Sequence, residues 1–286
     1  MTKILHWLGR NKIITVLLGI AVYFCIVTFH DEVTTLVIKI RNSLGLELFN
    51  RYLAYGFLAL LIFILIILFY QSLKSRQKIL KSALSLIVSA MMVISFRLLM
   101  VYNIEAIHFV EYMLVAIILL PVMRSYGETV FWVTILGMLD ELFQYRFLTP
   151  NFEYFDFNDS ILNLLGAGAG VLLIFVLNDN AIEIRRIKWY RSPAVLTGLG
   201  LLTVFFVLLL LQKISINPVE TPGTWFSINR KSLPDDFWTE AYPGRRFHIL
   251  KPIEGIILLY ALFVCFFIFD FIRVHPQKSA SSACHS

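Results

Sequence analysis

Ionisable side chains set into long apolar stretches are where this sequence could do chemistry. His108, Glu111 and Tyr112 stand at i, i+3 and i+4, one face of a helix. Asp140, Glu141 and Gln144 come next, with Arg146 just beyond. Asp156, Asp159, Asn163, Gly166 and Gly170 then follow at spacings of three and four, which predicts a single helical stripe. Carboxylates, a histidine and two amides at one membrane depth must share protons, pair with arginine or coordinate a cation. Taken singly, His108 reads as a satisfied interfacial histidine and Asp140 as a hydrated helix-end carboxylate. Taken together, the residues are expected to form a functional site, with structural glue beneath a hydrated vestibule as the alternative. Arg97 would either neutralise one of the carboxylates or extend to the lipid headgroups. Gly166 and Gly170 form a GxxxG that would let another helix approach closely.

The elements that must position these groups follow from composition. Of 286 residues, 58% are hydrophobic and only 15% charged, and the mean hydropathy is +0.77. That excludes a water-soluble globule. Eight apolar runs lie at 13–29, 53–70, 82–102, 107–123, 129–145, 161–177, 194–211 and 253–272. Each approaches the roughly 20 residues a helix needs to cross the hydrocarbon layer. The expected fold is therefore all-α, a polytopic transmembrane bundle of about eight spans. No small-x-small cleavage site follows the first run, so it is expected to stay as an anchor. Basic residues cluster in alternate connections: Lys3, Arg10 and Lys12 before the first run; Lys74, Arg76, Lys78 and Lys81 after the second; Arg185, Arg186, Lys188 and Arg191 after the sixth. Arg124, Arg273 and Lys278 fall on the same side, which places both termini in the cytoplasm. The first connection mixes Lys39, Arg41 and Arg51 with acidic residues. The same topology sends the start of the fourth run, the end of the fifth and the start of the sixth to one outer face.

The net charge of +6 is spread over connections rather than gathered in a patch, so nucleic acid is not an expected partner. The lipid bilayer is. Cys25, Cys265 and Cys284 show no CxxC or Cys/His metal spacing, and neither disulfides, zinc nor any other cofactor is expected. The chain divides into a three-helix region at 1–106, a three-helix core at 107–178, and a two-helix region at 179–286. The last region contains an external segment at 212–252, with Trp225, Trp238 and Tyr242 suited to the membrane interface, expected to be a lid or spacer with one helical turn after Pro234, and a polar tail.

The series His108-Phe109-Val110-Glu111-Tyr112, Asp140-Glu141-Leu142-Phe143-Gln144, and Asp156 with Asp159, Asn163, Gly166 and Gly170 resembles the VanZ-like family, named after a teicoplanin-resistance protein. The likeness covers residues 107–177, and its order across three helices is more specific than any one piece. It implies a bacterial cell-membrane protein of the cell envelope, linked to glycopeptide (teicoplanin) antibiotic resistance. Family members often carry an arginine three residues before the first aspartate. Here that position is Glu153, with Arg146 the nearest replacement. The expected function is a non-enzymatic envelope protein that lowers glycopeptide action by engaging a lipid-linked cell-wall precursor or an envelope protein. The alternative is a membrane enzyme acting on a lipid headgroup, with Glu141 and Asp159 as acid/base groups or divalent-metal ligands and His108 as proton carrier. A proton-coupled transporter comes third, without an inverted repeat to support it.

Overall fold

All eight apolar runs form helices. A computed structural model describes residues 2–75, 77–147, 154–178, 189–216, 223–229, 231 and 233–274. In chain order the helices are α1 (Thr2–Arg10), α2 (Lys12–Thr28), α3 (His30–Leu44), α4 (Leu46–Leu73), α5 (Lys78–Leu98), α6 (Ile107–Met123), α7 (Tyr126–Phe147), α8 (Phe157–Asn178), α9 (Pro193–Leu210) and α10 (Pro252–Val274). Among the described residues six are long and apolar enough to cross a membrane: α4, α5, α6 with the 3₁₀ turn Asn103–Ala106 before it, α8, α9 and α10. The pair α1–α2, bent by 104°, makes a seventh if it is one span. Helix α7 is 22 residues long but carries Glu128, Asp140, Glu141 and Arg146, so it falls short on apolarity alone. It packs between α6, α8 and α10, which shelter the polar groups that its sequence would otherwise present to lipid.

Helix α8 is the axis of the bundle. From Leu164 to Leu177 its residues are apolar on every side, and Ile161, Leu162, Leu164, Leu165, Ala167 and Val171 are all fully buried. A helix hydrophobic all round has to be enclosed by others, and α5, α6, α7 and α10 pack around it. Lys81 on α5 is also buried, and its Nζ donates to the Val176 carbonyl at 3.2 Å near the C-terminal end of α8. A cation there satisfies a carbonyl left without an intrahelical partner and opposes the helix dipole. At the start of α7, Asp270 of α10 plays the converse part. Its carboxylate accepts from the Ser125 hydroxyl and from the Tyr126 and Gly127 amides at 2.7–2.9 Å.

Two helices lie outside the eight runs. Helix α1 buries Leu5 and Leu8 against the end of α6 and leaves Trp7 exposed, and the Thr15 hydroxyl donates to the Leu8 carbonyl at 2.7 Å across the bend into α2. Helix α3 fills the first connection. The segment after α9 differs from expectation, because no helical turn follows Pro234 among the described residues. There are two small sheets instead. Strands β1 (Ile214–Ser215) and β2 (Phe226–Ser227) pair in parallel, and β3 (Thr239–Tyr242) pairs antiparallel with β4 (Arg245–Phe247) around Pro243-Gly244, where Gly244 has φ +83. Aromatic and β-branched residues favour such pairing. Tethers hold the segment to the helix ends: Phe155 donates its amide to the Ile228 carbonyl, His248 its amide to Leu98, and Tyr145 its hydroxyl to Ser227.

The GxxxG is a contact face. A Cβ at Gly166 would lie 2.8 Å from the Phe109 carbonyl oxygen, and one at Gly170 would lie 2.5 Å from that of Met113. Both obstacles are α6 backbone, which cannot rotate away. Gly170→Ala should therefore lower the melting temperature and membrane abundance, with an overpacking cost of about 1–3 kcal/mol. Gly200→Ala meets nothing within 4 Å on α9 and should be neutral or slightly stabilising, since alanine favours helix over glycine by about 1 kcal/mol. Equal melts for the two variants would contradict this packing.

Candidate functional site

The glycine contact between α6 and α8 sets His108 against Asp159. The imidazole Nε2 lies 3.6 Å from Asp159 Oδ2, while Nδ1 faces Glu111 Oε2 at 3.9 Å. From α7, the Asp140 carboxylate accepts the Tyr112 hydroxyl at 3.2 Å. Glu141 closes the group: one ligand atom from each of His108, Glu141 and Asp159 lies within 4.8 Å of the others. Asn163, a turn below Asp159 on α8, fits against α7 only because residue 137 is glycine. A Cβ there would lie 2.6–2.9 Å from the Asn163 side chain.

Asp156 departs from the stripe predicted for it. It precedes α8 as the N-cap, its Oδ1 accepting from the Asn158 amide at 2.8 Å and the Asp159 amide at 3.3 Å. Burial, and then the charge of Asp159, push its carboxyl up to about 7 against those hydrogen bonds. Of the two roles weighed for Arg97, pairing with a carboxylate is not seen. It is exposed and forms no ion pair with any described residue, and the same holds for Arg146. Glu153 lies outside the described residues.

Burial without partners is concentrated in this cluster, although Ser72, Gln77, Asn103 and Arg245 each show one such atom elsewhere. His108, Asp140, Glu141, Gln144 and Asn163 are each at most 5% exposed. Nevertheless His108 Nδ1, Asp140 Oδ1, Glu141 Oε1, Gln144 Nε2 and both Asn163 side-chain atoms lack a partner in hydrogen-bonding geometry among the described residues, although the Asn163 amide stands close to the Glu141 carboxyl. Each such atom costs about 1–3 kcal/mol when it goes unpaired. Six of them would rival the net stability of an ordinary domain, about 5–15 kcal/mol, so packing alone does not account for the arrangement.

Several participants could not be found from spacing. Glu105, in the 3₁₀ turn before α6, accepts from the Val101 and Tyr102 amides at 2.9–3.0 Å and stands close enough to Asp156 and Asp159 to interact electrostatically. Tyr23 on α2 lies within electrostatic range of Asp140 and Glu141. Asn158 fastens the segment after α9 to the site: its amide donates to the Leu99 and His248 carbonyls, each at 2.7 Å, and its oxygen accepts from the Leu250 amide at 2.9 Å. None of these carries a sequence signal beyond its neighbours in space.

An open cleft of about 1040 Å³ lies at the same end, between α4, α5 and the β3–β4 hairpin. Arg51, Arg97, Arg245 and Arg246 line it above a wall that includes Ala54, Val93 and Ile94. Glu47 also lines it but is bound to Arg51 at 2.6 Å. Arg245 donates to the Phe96 and Met100 carbonyls at 3.0 and 2.8 Å, leaving its Nε without a partner. Burial pulls this guanidinium below the usual arginine value; Arg97 pushes the same way, while Tyr242 and Glu105 oppose.

Comparison with protein-family models, with curated proteins and with solved structures finds no match.

The Asn158 clamp gives a direct test of the local architecture. Asn158→Ala removes three buried hydrogen bonds and should destabilise the protein by about 3 kcal/mol, at about 1 kcal/mol each. The loss should appear as a lower melting temperature and faster proteolysis of the segment at 212–252. An unchanged melt would show that the segment is not held through this side chain.

Proposed function

We propose that the chain is a bacterial envelope protein of VanZ-like type. On this reading it crosses the cell membrane eight times with both termini in the cytoplasm, and it lowers glycopeptide action through the polar cluster at the outer ends of α6, α7 and α8. The observation that carries the reading is the set of six buried, unpartnered polar atoms on His108, Asp140, Glu141, Gln144 and Asn163. Protein interiors keep such groups where something other than the chain's own packing uses them. The arginine-lined cleft favours an anionic lipid-linked wall precursor as the occupant. Guanidiniums at the rim suit phosphate oxygens, and the apolar wall below suits an acyl or prenyl chain. The enzyme reading, with Glu141 and Asp159 acting on such a headgroup, is favoured by the proximity of both to His108.

Orientation is tested by cysteine labelling. An impermeant thiol reagent should reach Ser227→Cys in intact cells and should not reach Ser75→Cys, and the reverse pattern would move the cluster to the cytoplasmic face.

The role of charge is tested with isosteric variants. Glu141→Gln and Asp159→Asn keep shape while removing the negative group. In a strain lacking the protein and complemented with each variant, membrane abundance should be near normal and teicoplanin protection lost. Full protection at normal abundance in both variants would leave the cluster without a functional role.

A further inference from the structure

We propose that His108, Glu141 and Asp159 bind a first-row divalent transition-metal ion, Zn²⁺ or Mn²⁺, with Glu111 orienting the histidine from behind. The proposal rests on the functional reading of the cluster, and it makes His108 a ligand rather than a proton carrier.

Geometry comes first. Ligand atoms about 2.0–2.2 Å from a metal lie roughly 3–3.6 Å apart when they are neighbours in its coordination shell. His108 Nε2 and Asp159 Oδ2 are already 3.6 Å apart, and all three ligand atoms lie within 4.8 Å of one another. A rotamer adjustment of roughly 1 Å therefore closes the site. The three residues come from α6, α7 and α8; Gly166 and Gly170 fix the approach of α6 to α8 and Gly137 that of α7 to α8, so the ligands stand on rigid elements. Metal-bound histidines regularly turn their other ring nitrogen to a carboxylate. His108 Nδ1 is buried without a hydrogen-bond partner and faces Glu111 Oε2 at 3.9 Å.

The remaining observations concern charge and pairing. Glu141 is 3% exposed and its Oε1 has no partner, while the amides of Gln144 and Asn163 are buried beside it without partners. Glu105, Asp140 and Asp156 add further carboxylates around Asp159, and neither Arg97 nor Arg146 pairs with any of them. The carboxyl groups outnumber the one imidazole beside them, and a divalent ion would find ligands of opposite charge among them. One nitrogen with two carboxylate oxygens is a donor set that suits zinc and manganese better than calcium or magnesium, which take all-oxygen shells.

The test uses the full chain purified in detergent, stripped with chelator, and dialysed separately against Zn²⁺ and Mn²⁺. Retained metal is counted by mass spectrometry. Wild type should retain one equivalent more than Asp159→Asn or Glu141→Gln of at least one of the two ions, and Glu111→Gln should bind it about 10–100-fold more weakly. The difference between wild type and variants excludes metal held by the cysteines or by the other histidines. Monodisperse elution and a cooperative melt are required of each variant. Should either ligand variant fail to fold, the count in wild type with and without Glu111→Gln still decides. No retained metal in wild type, or equal retention in all variants, overturns the proposal. The two readings fail separately. A metal-free wild type whose Glu141→Gln variant loses teicoplanin protection leaves the functional cluster standing without an ion. Metal retention with full protection in the ligand variants leaves the ion standing without that function.

Discussion

The close approach of α6 and α8 is the constraint from which the rest of the site follows. Gly166 and Gly170 remove the Cβ atoms that would strike the carbonyls of Phe109 and Met113, so two backbones meet where ordinary side chains would hold helices 8–10 Å apart. That contact places His108 and Asp159 face to face. Gly137 does the same service on the other side of α8, where it gives Asn163 room against α7. Three glycines thus set the depth, spacing and direction of a polar group that no single helix contains.

Burying that group is expensive, and the bundle offsets only part of the cost. Tyr112 satisfies one oxygen of Asp140, and backbone amides cap Asp156 and Glu105. Elsewhere two charged groups inside the bundle are paired. Lys81 meets a carbonyl of α8, and Asp270 meets the first amides of α7. Against that background the six unpartnered atoms of His108, Asp140, Glu141, Gln144 and Asn163 form the largest such group among the described residues. A chain that satisfies a buried lysine at one end of α8 does not leave six atoms idle at the other through careless packing. The segment between α9 and α10, held by Asn158, Tyr145 and Arg245, lies at the same end and shapes the arginine cleft beside it.

The parts legible in the sequence were those governed by period and composition. Apolar runs bounded by charges gave helices, spacings of three and four gave the faces of His108–Tyr112 and Asp159–Gly170, and the GxxxG gave a contact face. What escaped depends on tertiary neighbours. Glu105 and Tyr23 reach the cluster from an adjoining turn and a remote helix, and Asn158 looks from its spacing like any polar residue in a first turn. Asp156 joins the cluster as the N-cap of α8 rather than from within the helix, because the spacing that puts it on the stripe also suits an N-cap. The amphipathic helices α1 and α3 were hidden by reading only from charge to charge, since their polar residues mark the ends of the neighbouring runs. Arg97 was ambiguous for a similar reason: a helix-end arginine serves a carboxylate or a headgroup equally well until its neighbours are known. The absence of Cys/His spacing spoke only of local metal motifs, and a ligand set drawn from three helices has none.

The central claim is that the cluster accommodates something other than the chain itself, and an experimental structure tests it most directly. Diffraction data or a cryo-electron microscopy map of the full chain in lipid, prepared with Zn²⁺ and collected at a resolution that shows ordered ions, would reveal the space between His108, Glu141 and Asp159. The account predicts non-protein density there with ligand distances of about 2.0–2.2 Å, confirmed by anomalous scattering at the zinc edge. Closed packing, with Glu141 Oε1, Gln144 Nε2 and both Asn163 atoms hydrogen-bonded to protein groups and no density between the three side chains, would contradict it.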